Sequence, residues 1–254
     1  MNINREEIID DLNKRDALKL QKQLIVQRRI RMTIMSVLVS ALCFTLIYGT
    51  LENPFQYTLS MIGNRFNIAY RAVFIVWTIV TGVAIQLSIV ALMKLERYPK
   101  LTKSLKYVFV ATVLLVLTGI IPALGKEYLF WHLMHDATAV GHALFILLTM
   151  YPFTNWVSQE NPRLRNIIAI WQIVIFGGSL LSLIVLGMTA IFELWFFISL
   201  ILFLLYISMT LFEEKIVKIG VKLMRDEENL NLGIEKYFID LEKDNLEKIR
   251  NKKS

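Results

Sequence analysis

A chain of 254 residues with 56% hydrophobic and 19% charged side chains, and a mean hydropathy of +0.53, is too apolar for an ordinary soluble domain. Its formal net charge of +7 raises nucleic acid as a partner, but the lysines and arginines flank apolar runs, where anionic lipid and control of orientation account for them. No nucleic-acid binding is expected, and the single cysteine, Cys43, excludes an intrachain disulfide and a thiolate cluster and reads as an apolar packing residue.

Residues 1–31 are charged and about twice as long as the basic region that precedes a signal peptide's apolar core, so the first hydrophobic run is expected to be kept as a span. Six apolar runs follow, at 32–50, 69–93, 107–123, 132–153, 167–188 and 192–212. Each is near the ~20 residues that a helix needs to cross hydrocarbon at 1.5 Å per residue. Runs of this length must be helical in lipid, because a closed barrel would be written as short alternating segments. The expected fold is all-α: a polytopic membrane bundle of six helices spanning 32–212.

Of the 28 lysines and arginines, 25 fall in the N-terminal segment, the loop 94–106, the loop with Arg163 and Arg165, and the tail from Glu213. Arg65, Arg71 and Lys126 belong to the other side, so the bias places both termini in the cytoplasm of a bacterial cell membrane. Small residues predict close packing in the fourth span, at Ala137, Ala139, Gly141 and Ala143, and in the fifth, at Gly177, Gly178 and Ser182. In the tail, residues 213–254, Leu230, Ile234, Phe238 and Leu241 recur at helical spacing among charges. That pattern suits an amphipathic helix on the membrane or on a cytoplasmic protein partner, and equally a solvated helix.

The loop 51–68 is neither a plain tether nor a span. Asn53–Pro54 and Gly63–Asn64 form turns, while Phe55, Tyr57, Leu59 and Met61 supply apolar groups for the membrane interface, so a folded lid is expected. Ser60 is the natural nucleophile if there is one, yet a serine without a base is inert.

All three histidines lie on the fourth span beside its aspartate. At about 100° per residue, His132, His135, Asp136 and His142 fall within a sector of about 120°, a face that should look to protein or water and not to lipid. Arg71 near the start of the second span, with Thr78 on the same face, and Glu193 at the start of the sixth, lie at matching depth. An Arg71–Asp136 ion pair, joined by His135, is expected to ease the cost of both charges. A structural polar network, an anion or headgroup site and a metal site all fit these residues, while His142 reads as a packed, hydrogen-bonded histidine.

The segments NPFQYTLSMIGNRFNIAYRAVF and GIIPALGKEYLFWHLMHDATAVGHALF resemble a family of bacterial six-span proteins, a domain of unknown function distantly akin to the DRAM/Sfk-like membrane proteins. The matching positions are Ser60, Gly63 and Asn64, then Gly119 and Pro122, then His132 or His135, and the likeness runs over about 32–212. It implies a six-helix bundle with an outward polar site and relatives tied to lipid organisation. The likeness to zinc hydrolases of the ceramidase and progestin-receptor type is poor, since those have seven spans and draw histidines from separate helices.

These readings converge on a membrane protein that is not expected to be an enzyme. It would hold a lipid headgroup or small amphiphile through Arg71, His132, His135, Asp136, Ser60, Asn64 and Glu193, with no cofactor. The alternatives are a zinc-dependent hydrolase with His132, His135 and Asp136 as metal ligands, a structural or regulatory subunit, and a transporter. Oligomeric state is left open.

Overall fold

The computed structural model describes residues 5–65, 67–124 and 128–218, with side chains from residue 22 onward except Arg65. Among these residues every regular element is helical, and six helices are long and apolar enough to cross a membrane. This is a multi-pass membrane protein. The chain divides into two compact units, Met1–Ser208 and Met209–Ser254. The second is described as helix through Lys218. The expected amphipathic pattern at Leu230–Leu241 lies outside the described residues.

The elements in order are α1 (Arg5–Gly49), the short α2 (Leu59–Arg65), α3 (Ile68–Leu95), α4 (Leu101–Ile120), α5 (Leu129–Glu160), α6 (Pro162–Leu186) and α7 (Ala190–Lys218). The first apolar stretch ends at Gly49, and just before the run read from charge stands Arg31. It is 3% exposed, pairs with Glu96 after α3, and donates from Nη1 to the Ser208 carbonyl at 2.6 Å, so the bundle neutralises a residue that sequence assigns to water.

Within the first unit α3 is the most enclosed helix, packing on α1, α2 and α4, while α4 packs on α5. Aromatics fill the joint between α1, α3 and α7: Trp77 stacks on Tyr48 at 4.9 Å, takes the edge of Phe197 at 5.3 Å, and donates its indole N–H to Thr45 at 3.2 Å. Satisfying that N–H matters because lipid offers no substitute partner. At the other end of α3, Tyr98 packs on Phe153 and Trp156 of α5.

Helix α6 is the least enclosed span. A 3₁₀ turn at Pro162–Leu164 opens it, and a π-helical turn at Ile173–Gly177 interrupts it. Trp195 Nε1 donates to the Val174 carbonyl of that turn at 2.8 Å. Of the small residues expected to meet neighbours here, Gly178 does so, since a Cβ would stand 2.2 Å from Trp195 Nε1, whereas Gly177 would meet only Ile173 of its own helix. Gly187, at φ +74°, makes the turn into α7, a conformation that side chains with a Cβ rarely adopt. Cys43 is exposed on the outer side of α1 and is not the packing residue that its apolar neighbours suggested.

Candidate functional site

The end of the bundle that carries the lid gathers most of the singled-out residues. In the lid, Thr58 caps α2, its Oγ1 accepting the Met61 N–H at 3.1 Å, and only three carbons of side chain are needed for Glu193 to reach the same helix start. The Glu193 side chain accepts the Leu59 N–H at 2.6 Å, one of the donors that the helix start leaves without an intrahelical partner. Tyr48 donates to the Leu59 carbonyl at 2.7 Å, and the Ala190 N–H donates to the Tyr57 carbonyl at 2.7 Å. Leu59 and Ile62 are consequently 1% and 0% exposed, inside a cluster with Tyr48, Phe74, Trp77, Ala190 and Leu194. The lid is a docked element of the core.

Ser60 is buried, its hydroxyl 3.0 Å from that of Thr58 and its carbonyl accepting from Asn64 Nδ2 at 2.6 Å. These contacts hold the turn of α2. Arg71, half-buried at the start of α3, donates to Asn64 Oδ1 and to the Ile120 carbonyl at the end of α4. A guanidinium there satisfies a carbonyl left without an intrahelical donor and sits at the negative end of the helix.

The expected Arg71–Asp136 pair is therefore replaced. Asp136 instead faces His132 one turn away, Oδ2 to Nε2 at 3.6 Å, with side-chain exposures of 37% and 26%. His135 turns inward, and its Nδ1 lies 3.0 Å from the Ile121 carbonyl. A carbonyl only accepts, so Nδ1 carries the proton that faces it. The single polar face of α5 is thus split: His135 and His142 are buried, whereas His132 and Asp136 stand at its open edge. Glu193 and Asp136 remain within electrostatic reach of each other, as does His135 of Arg71, Asp136 and His132.

Exposed aromatics precede the open pair in the chain: Tyr128, Phe130 and Trp131, the last two in edge contact at 5.5 Å. Among the described residues no three histidine, cysteine, aspartate or glutamate side chains are grouped to hold a metal ion. The turned-in His135 separates from His132 and Asp136 for the reason just given. No protein-family model, curated protein or solved structure matches this chain.

Tyr48, Thr118, Thr138 and Gln86 were not picked out from sequence. Tyr48 could have been found as a tyrosine at the end of a span facing the aromatic Phe74 and Trp77. Thr138 lies three residues after His135 and four before His142 on α5, and Gln86 lies eight after Thr78 on α3, so helical spacing from residues that were picked out could have found both.

Proposed function

We propose that this multi-pass membrane protein binds the zwitterionic headgroup of a membrane phospholipid at the lid end, beside His132 and Asp136. The observation that carries the reading is this half-exposed pair of opposite polarity at the end of a span, beside the exposed rings of Tyr128, Phe130 and Trp131. Aromatic residues favour the headgroup depth of a bilayer, where a lipid keeps its tails in hydrocarbon and offers its polar group to the bundle. The Asp136 carboxylate would accept from an ammonium, the His132 imidazole would donate to the phosphate, and the rings would face the cation. Arg71, Asn64, Ser60, Glu193 and His135 serve the site at one remove, by holding the lid and the end of α4 beside it. The distribution of lysine and arginine favours cytoplasmic termini, so the headgroup would belong to the outer leaflet of the cell membrane.

The test is native mass spectrometry of the full chain purified in mild detergent, with elemental analysis for metal on the same sample. A phosphatidylethanolamine or phosphatidylcholine adduct carried by the wild type and lost in His132→Ala/Asp136→Asn is expected. Equal retention by the double variant would overturn the reading, and zinc near one per chain would replace it with metal chemistry.

A further inference from the structure

Helix α4 carries three polar rungs, each meeting α3 on one side and α5 on the other. At the lid end Arg71 of α3 reaches the Ile120 carbonyl and His135 of α5 the Ile121 carbonyl. One step deeper, Thr118 donates to Thr138 of α5 at 3.0 Å, while Thr78 of α3 lies against Gly119, where an added Cβ would touch it at 3.5 Å. Seven residues along, about 10 Å at 1.5 Å per residue, Thr112 pairs with Gln86 of α3, and His142 of α5 places Nδ1 3.0 Å from the Ala111 carbonyl.

These groups are far from saturated. Thr78, Thr81 and Gln86 are 4%, 0% and 3% exposed, yet Thr78 Oγ1, Thr81 Oγ1 and Gln86 Nε2 have no hydrogen-bond partner. Turning the Gln86 amide over does not help. The Thr112 hydroxyl has one proton and also lies 2.8 Å from the Val108 carbonyl, so if it donates there it can accept only from the Gln86 NH2, which leaves Oε1 bare. Buried polar groups without partners in a membrane interior are costly and mark a place where something else supplies the bonds.

What supplies them is constrained by charge. Below the Arg71 rung the seam offers hydroxyls, an amide and an imidazole, and the stretches 72–93 of α3, 107–120 of α4 and 137–159 of α5 contain no lysine, arginine, aspartate or glutamate. Such a lining exchanges hydrogen bonds with neutral molecules and offers nothing to offset the desolvation of an ion. Between the second and third rungs Leu115 lies over Gly82, where a Cβ would stand 1.8 Å from its Cδ2 atom, so this side chain packs the space between α3 and α4 there.

We propose that the α3–α4–α5 seam is a hydrated track that admits water and small uncharged hydrogen-bonding solutes as far as Gln86, past the Leu115 side chain. The test is thiol accessibility in the full chain reconstituted in phosphatidylcholine vesicles, on a Cys43→Ala background. Thr78→Cys, Thr81→Cys and Gln86→Cys are labelled with neutral hydroxyethyl methanethiosulfonate and compared with Gln56→Cys in the exposed lid and Val80→Cys on the lipid side of α3. The reagent attacks only a thiolate, which forms in water and not in hydrocarbon. The seam cysteines are expected to react within about tenfold of Gln56→Cys and at least a hundredfold faster than Val80→Cys. The charged trimethylammonium-ethyl analogue is expected to lag at Gln86→Cys, with Leu115→Ala increasing the neutral rate there. Seam cysteines as slow as Val80→Cys would overturn the proposal. Thr78→Cys and Thr81→Cys, which barely change volume, carry the test if Gln86→Cys does not fold.

Discussion

Glu193 of α7 holds the first N–H of the lid helix, that of Leu59, at 2.6 Å, although 134 residues separate the two. Both ends of that contact are costly to strand. A buried N–H without an acceptor loses about 1–3 kcal/mol. Glu193→Ala should therefore destabilise the protein by about 2 kcal/mol and loosen the lid, while Glu193→Gln, which keeps an acceptor oxygen, should lose less than half as much. Thermal unfolding in detergent followed by tryptophan fluorescence checks the order, since Trp77 shares the cluster with Leu59.

Arg71 differs from a lysine at the same place in having two terminal nitrogens, one on Asn64 of the lid and one on the Ile120 carbonyl. A lysine offers a point charge that can serve one of these in full. Arg71→Lys should keep the fold but raise the rate of proteolytic cleavage in the loop around Phe55, and Arg71→Ala should raise it further, by tenfold or more. Limited proteolysis of protein in vesicles reads this directly. Equal rates in all three would mean that the Tyr48, Glu193 and Ala190 contacts hold the lid unaided.

The six spans were legible because hydrocarbon leaves no alternative to long apolar helices, and the lid was legible because its turn formers and apolar residues fit neither a span nor a tether. The polar face of α5 was visible for the same reason, as His132, His135, Asp136 and His142 cannot all face lipid. Partner choice was not. Arg71 was matched to Asp136 because only side chains are written in a sequence, whereas its partners are Asn64 and a backbone carbonyl that exists because α4 ends at Ile120. Arg31 was assigned to water for a related reason: a charge immediately before an apolar run looks like a boundary until Glu96 is seen beside it.

Two glycines, one in the lid helix and one near the end of α4, should respond differently to alanine. At Gly63 a Cβ would stand 2.4 Å from Phe74 Cβ and 3.1 Å from Tyr48 Oη, and Phe74 Cβ is fixed by the backbone of α3. At Gly119 it would meet Thr78 at 3.5 Å, an ordinary contact. Gly63→Ala should cost about 1–3 kcal/mol by overpacking, and Gly119→Ala should fall within about 0.5 kcal/mol of wild type. Paired unfolding midpoints in one detergent decide it.

The Arg31–Glu96 pair at the opposite end separates the worth of a buried ion pair from the cost of breaking one. Arg31 is almost fully enclosed and Glu96 largely so, with side-chain exposures of 3% and 13%. Removing one partner leaves a charge with poor access to water, so Arg31→Ala and Glu96→Ala should each lose about 3–5 kcal/mol. Replacing both with apolar residues of similar volume, Arg31→Met with Glu96→Leu, removes the charges together and should recover most of that loss. Full recovery is not expected, because the bond that Arg31 also donates to the Ser208 carbonyl is lost with it. A double-mutant cycle on unfolding free energy in detergent measures the coupling. A double variant as unstable as the sum of the singles would show that the pair contributes through its packing and not through its charges.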